Sequence, residues 1–291
     1  MIYKNITFEE YRKMDGLNCS KLKPYLKSSS HGYWHENNRT FKESQAMNIG
    51  TLVHAYVLEG GEKAKAMIDE KFIYDGFPVN EKTGKPFGET SKKYIDWLET
   101  IPEGKSVIFP DVLDNTVVSV YRAVGNHKPS VKLLKECVNR ETAITWTCER
   151  TGVLCKALVD FYGNGKAGDL KTFGREMTLT AIEREMYDRQ YHMQFAFYTD
   201  GLIANGIKVD EFNVIFASTT NEYDVGCFSI DEGTIHQGRQ DYIASIHNYN
   251  MALETKTKSE GQFPDKFEIG IPNWARSEYD DVESLNLNWS E

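Results

Sequence analysis

Two aspartates and a lysine, Asp160, Asp169 and Lys171, fall in one short stretch of this chain. Residues 153–162 read as a strand, rich in β-branched and aromatic residues and preceded by Thr151-Gly152. Gly163-Asn164-Gly165 then supplies a turn, and Asp169-Leu170-Lys171 sits on the next strand. If Asn164-Gly165 is a two-residue hairpin tip, Asp160 lies opposite Asp169, with Lys171 on the same face as Asp169. Opposed like charges destabilise a sheet, unless a cation sits between the carboxylates. Oxygen donors of this kind suit Mg²⁺ or Mn²⁺, and a neighbouring ammonium completes the inventory for metal-assisted phosphodiester hydrolysis. The plainer reading is a strand-end aspartate and an edge charge.

Other stretches offer side chains to such a site. Ile49, Leu52, Val53, Tyr56 and Val57 form the apolar stripe of a core-facing helix, with His54 at its edge. A histidine so placed is more often a hydrogen-bonded structural residue than a ligand. Gln194 and Tyr198 stand four apart on a helical segment running from about residue 188 to 203 and ended by Asn205-Gly206, so they share a face. Tyr198 is either one more core aromatic or a site residue, and Gln190 and Tyr191 are in register to substitute. Glu141 opens a strand-like run over 141–148; it could orient the site from behind or simply end a strand. Lys156 shares the period-two face of Asp160 and could touch phosphate or pair with Glu141 or Asp160.

Four blocks together resemble the PD-(D/E)XK nuclease superfamily, and within it the RecB-like and RecE-like (exonuclease VIII type) phage and prophage exonucleases. They are residues 49–59, residues 152–160, Asp169-Leu170-Lys171-Thr172, and residues 194–198. Leu158-Val159 stand where RecE-like relatives often carry an arginine. The resemblance implies an α/β restriction-endonuclease-like core, a central mixed sheet flanked by helices, with an N-terminal helical elaboration. It implies that His54, Asp160 and Asp169 hold Mg²⁺, with Mn²⁺ as substitute, and that the Leu170 carbonyl is a further ligand. Lys171 would orient or deprotonate the attacking water, while Gln194 and Tyr198 would position the DNA backbone or the lysine. The implied activity is a DNA exonuclease acting 5′ to 3′ on double-stranded ends and leaving 3′ overhangs for a single-strand annealing protein. A phage or prophage enzyme of this kind would work in the bacterial cytoplasm. A catalytically idle DNA-binding or recombination-assembly protein is the alternative of another class; an endonuclease or single-strand nuclease would use the same site.

The formal net charge of -9 argues against general coating of nucleic acid but not against a local basic channel. Lys21, Lys23, Lys27, Lys92, Lys93, Arg175, Arg184 and Arg189 are candidates for its lining. An acidic chain that must retain a polyanion suggests a closed homo-oligomer, a trimer or tetramer ring, as the resemblance also implies. The five cysteines, Cys19, Cys137, Cys148, Cys155 and Cys227, include no C-x-x-C pair, which suits reduced thiols and argues against an iron–sulfur cluster. No apolar run approaches the roughly 20 residues of a membrane span, and no signal-peptide core is evident. One nuclease domain is expected over 1–291: a helical elaboration over 1–45, a core over 46–255 and an irregular tail over 256–291. The elaboration reads as helices over 7–14 and 19–26 ending in Ser28-Ser29-Ser30; residues 72–91 read as loops, and strands are expected over 211–218 and 225–230 before a long helix over 232–253.

Overall fold

The computed structural model describes residues 1–38, 44–220 and 222–255. The tail expected over 256–291 lies outside the described residues. Eight strands are formed: β1 (Ile2–Tyr3), β2 (Phe72–Ile73), β3 (Ser106–Val107), β4 (Asn139–Thr147), β5 (Leu154–Gly163), β6 (Lys166–Phe173), β7 (Glu211–Ser218) and β8 (Val225–Ser229). Six of them make one mixed sheet in the order β1-β4-β5-β6-β7-β8. All its pairings are antiparallel except β6 with β7, which is parallel and is bridged by the Leu179–Asp188 and Tyr191–Ala204 helices. The α/β architecture is the one the motifs imply. β2 and β3 pair in parallel as a small separate ladder, fastened to the Gln45–His54 helix where Gln45 and Asn48 donate to the Val107 carbonyl.

Strand alternation divides the interior into two cores. Val214 and Phe216 of β7 pack on one side with Phe195 and Phe197 of the Tyr191–Ala204 helix and Tyr242 and Ile246 of the Glu232–Thr255 helix. Ile215 and Ala217 face the other side, among Leu52, Val53, Val117, Val120 and Leu133 from the helices between β1 and β4. Burying apolar area on both faces of the sheet at about 25 cal/mol per Å² is the dominant favourable term.

The β5–β6 hairpin has the predicted two-residue tip. Gly163 pairs with Lys166, and Asn164 and Gly165 both take left-handed angles, φ 51° and 74°, as a type I′ turn requires. The strands 211–218 and 225–230 are also found, within a residue of their expected ends.

Three expectations change. The single helix over 188–203 is two helices, broken at Arg189-Gln190, where Gln190 adopts φ 54°. Ser28-Ser29-Ser30 does not end the elaboration but starts another helix, Ser29–Asn38, whose Gly32 lies against the Tyr25 ring. The period-two face drawn through Lys156, Asp160 and Tyr162 reverses at Asp160: Cys155, Ala157 and Val159 pack in the same core as Tyr162, while Phe161 faces the other.

Candidate metal-dependent active site

The site lies where the sheet's ladders stop. Extending the β4–β5 register sets Glu141 opposite Asp160, between the Arg140–Phe161 and Thr142–Val159 pairs, yet those two residues do not pair. Extending the β5–β6 register sets Asp160 opposite Asp169, but that ladder ends at Phe161–Gly168. One cross-strand row thus carries three carboxylates on neighbouring strands. Like charges in adjacent positions oppose pairing, and both ladders are interrupted at this row. Glu141 has φ 40°, an arrangement that costs about 1–3 kcal/mol for a non-glycine residue and is concentrated at functional sites. The amide that a continued ladder would have used is taken by a side chain: Leu170 N–H donates to Asp160 Oδ2 at 2.8 Å.

His54 comes to the row from the last turn of the Gln45–His54 helix, which runs on as a π-helical turn, Ala55–Glu59. Its Nε2 donates to the Leu170 carbonyl at 2.6 Å, fixing the ring. Nδ1 then faces Asp160 Oδ2 at 3.6 Å and Glu141 Oε1 at 3.8 Å. Burial opposes the charged imidazole, but the Asp160 and Glu141 carboxylates outweigh it and raise its pKa to about 9. Burial, then the neighbouring Asp169, push the Asp160 carboxyl well above the usual range, with His54 pulling against them.

Donor atoms of His54, Glu141 and Asp160 all lie within 4.8 Å of one another. Glu141 therefore belongs to the inner group, rather than behind it as the sequence suggested. The Leu170 carbonyl, expected as a ligand, is occupied as the acceptor that orients His54. Asp169 is wholly buried; Lys171 Nζ forms an ion pair with its Oδ2, and its Oδ1 has no hydrogen-bond partner among the described residues. Glu141 Oε1 is a second buried acceptor without a donor. Orphaned buried acceptors are expensive. Three carboxylates face one ammonium here, and with His54 neutral the surplus of two negative charges equals what one divalent cation supplies. Imidazole and carboxylate donors suit Mg²⁺ or Mn²⁺, so the residues present fit such an ion.

The other wall comes from the helical side. Lys171, buried beside Asp169, also lies over the Tyr191 ring at 4.9 Å from its centroid. Burial works against its charge, but Asp169 and then Asp160 hold its pKa above the ordinary value. Gln194 Nε2 donates to Tyr198 Oη at 3.0 Å, and the Tyr198 phenol is held far from ionisation, first by burial and then by Asp169 and Asp160. Both residues therefore turn toward the row. Gln190 is the left-handed joint between two helices, outside the Gln194–Tyr198 face.

Two further sequence candidates are placed differently from expectation. Lys156 is buried, and its ammonium donates to the carbonyls of Tyr11, Arg12 and Met14, capping the end of the Phe8–Lys13 helix instead of facing phosphate. Arg175 pairs with Glu185 at 3.4 Å but stays half exposed. Lys23 gains a role that its sequence position did not signal. It donates to the Arg189 carbonyl at 2.7 Å and lies 5.2 Å from the Tyr191 centroid, so the N-terminal elaboration pins the strained joint that sets Tyr191 against Lys171. Only its spacing from Asn18, which caps the Cys19–Leu22 helix, hinted at a defined position.

Comparison with known proteins agrees with this geometry. A family model described as a PDDEXK-like domain of unknown function (DUF3799) matches residues 18–262. A crystal structure from Eubacterium rectale, provisionally named an exonuclease, superposes with a TM-score of 0.54 at 15% identity, covering 85% of this chain and 87% of that one. A second solved structure, SSO0001, reaches a TM-score of 0.25 at 15% identity over 46% of this chain and 64% of its own, too little to bear on the fold. No curated protein matches the chain. Among the described residues no helix is long and apolar enough to cross a membrane. Family and fold together support a nuclease, and the chain belongs to the PDDEXK-like family.

Proposed function

We propose that this protein is a Mg²⁺-dependent DNA exonuclease that degrades one strand from double-stranded ends, 5′ to 3′, and leaves 3′ overhangs for a single-strand annealing partner. The observation that carries the reading is the row Glu141, Asp160, Asp169, with its orphaned oxygens and the Lys171 ammonium beside it. His54 Nδ1, Glu141 and Asp160 would hold the ion, with Asp169 next to them. A bound divalent cation supplies Lewis-acid stabilisation of the phosphoryl oxygens and lowers the pKa of its water.

The chain's own groups do the rest. The Leu170 carbonyl keeps His54 Nε2 protonated, leaving Nδ1 free to ligate. Lys171, held by Asp169 and the Tyr191 ring, orients the attacking water and offsets charge developing on the phosphate. Gln194 and Tyr198 present an amide and a neutral phenol as hydrogen-bonding groups for the DNA backbone or for Lys171. The acidic balance of the chain favours a homo-oligomeric ring, trimer or tetramer, that threads a free end, in the bacterial cytoplasm and of phage or prophage origin.

End-labelled linear duplex and covalently closed circular DNA, incubated with the pure protein with and without Mg²⁺, test the reading. Mg²⁺-dependent loss of the linear DNA alone is expected; nicking of closed circles together with a monomer by light scattering overturns both exonuclease and ring.

A further inference from the structure

A cleft opens from the metal-binding row on the side away from Lys171. It is lined by Lys4, Asn5 and Ile6 beyond β1, by Leu58, Glu59 and Lys63 beyond His54, and by β4 from Val138 to Thr142, so that Glu141 belongs to both cleft and row. Its volume of about 320 Å³ lies at the lower end of the sites that hold one small molecule, on the order of 300–1,000 Å³.

Its charges are set for an anion. Lys4 Nζ is held at 2.8 Å by a neutral acceptor, Asn139 Oδ1. Arg140 is half-buried over the Phe161 ring and donates only to backbone carbonyls, those of Asn139 and Leu134. Among the described residues neither cation has a carboxylate in an ion pair. Lys63 reaches Glu59 at 3.6 Å but stays two-thirds exposed, a contact weak enough to yield to a phosphate. The other carboxylate of the cleft, Glu141, faces His54 and the metal-binding row.

We propose that this cleft seats the terminal nucleotide of the strand being cut, with its 5′-phosphate held by Lys4 and Lys63 and supported by the fixed charge of Arg140. The proposal rests on the exonuclease reading and gives it a substrate feature. A strand end whose 5′-phosphate occupies the cleft places the following phosphodiester over the row. No new bond chemistry is involved; the cleft selects which end is presented, and single-nucleotide release follows from its size.

The test uses the full chain and hairpin duplexes ending in 5′-phosphate, 5′-hydroxyl or 3′-phosphate. Rates are measured with Mg²⁺, and binding is measured by fluorescence anisotropy with Ca²⁺ in place of Mg²⁺. The wild-type protein is expected to prefer the 5′-phosphate over the 5′-hydroxyl end by about tenfold or more in kcat/KM and in affinity, the scale of one charge-assisted contact. In Lys4→Ala/Lys63→Ala, with an unchanged melting temperature, that ratio collapses to about one. Equal binding of 5′-phosphate and 5′-hydroxyl ends by the wild type, a preference for 3′-phosphate, or a ratio unaltered in the double variant overturns the proposal. Absence of Mg²⁺-dependent cleavage on every end would instead fail the nuclease reading, while the binding comparison still decides the cleft.

Discussion

The two edges of β6 are built in opposite ways. On the β7 side, every residue from Lys166 to Phe173 is paired in unbroken parallel register. On the β5 side, pairing stops after three residues at Phe161–Gly168, and the carboxylates of Asp160 and Asp169 stand where the ladder would have continued. The complete edge fixes Asp169 and Lys171 in place. The open edge leaves room for chemistry. A ladder cannot hold three like charges in a row, so this region gives up hydrogen bonds and accepts a left-handed Glu141 in exchange for clustered donors.

Removing the proposed ligand charge tests the open edge most severely. Asp160→Asn keeps an acceptor for the Leu170 amide but loses the charge that would hold metal, so Mg²⁺-dependent hydrolysis should fall to background. Because repulsion from Asp169 and Glu141 is relieved, the metal-free variant should melt at or above the wild-type temperature. A thermal melt with and without Mn²⁺ checks both parts: the wild type should gain about 2.7 kcal/mol at one hundred times Kd and the variant should gain nothing. Lys171→Ala comes next, with a loss in kcat of roughly 10²-fold or more at saturating metal, measured by single-turnover cleavage; retained turnover with weakened metal binding would make Lys171 structural.

The complete edge is tested by Gly168→Ala. A Cβ there would meet the Phe161 ring at 2.3 Å and the Asn213 carbonyl at 2.6 Å, so something in the β5–β6–β7 junction must move. The expected cost is about 1–3 kcal/mol, read as a lower denaturant midpoint, and retained stability would mean that this junction is loose. The smallest effect is expected for Lys23→Met. Losing its hold on the Arg189 carbonyl and the Tyr191 ring should lower kcat about fivefold, the scale of a partly buried cation–π contact, with Mn²⁺ affinity unchanged.

Local signals carried the hairpin and its neighbours into the sequence. Asn164-Gly165 set the tip and register that put Asp160 opposite Asp169, and clean alternation located β7 and β8. What escaped depends on contacts between distant segments. The left-handed angles of Glu141 and Gln190 are imposed by crowding at the carboxylate row and at a helix junction, and neither residue type announces them. Lys156 shares a strand with Asp160, yet its ammonium is consumed by a helix end about 145 residues earlier in the chain. Lys23 reaches the site only because the elaboration folds back beside Tyr191. The donor residues themselves were readable, whereas the order in which they surround an ion was a matter of tertiary geometry, which moved Glu141 inward and turned the Leu170 carbonyl toward His54.

The central claim is that the interrupted row binds a divalent cation through Glu141 as well as His54 and Asp160. Calorimetric titration with Mn²⁺ of the wild-type protein and of Glu141→Gln measures it without DNA or turnover. The account predicts saturable binding by the wild type, weakened about tenfold or more in Glu141→Gln while the fold is unchanged by circular dichroism. Wild-type protein that takes up no Mn²⁺, or a Glu141→Gln variant that binds it as tightly, would contradict the account.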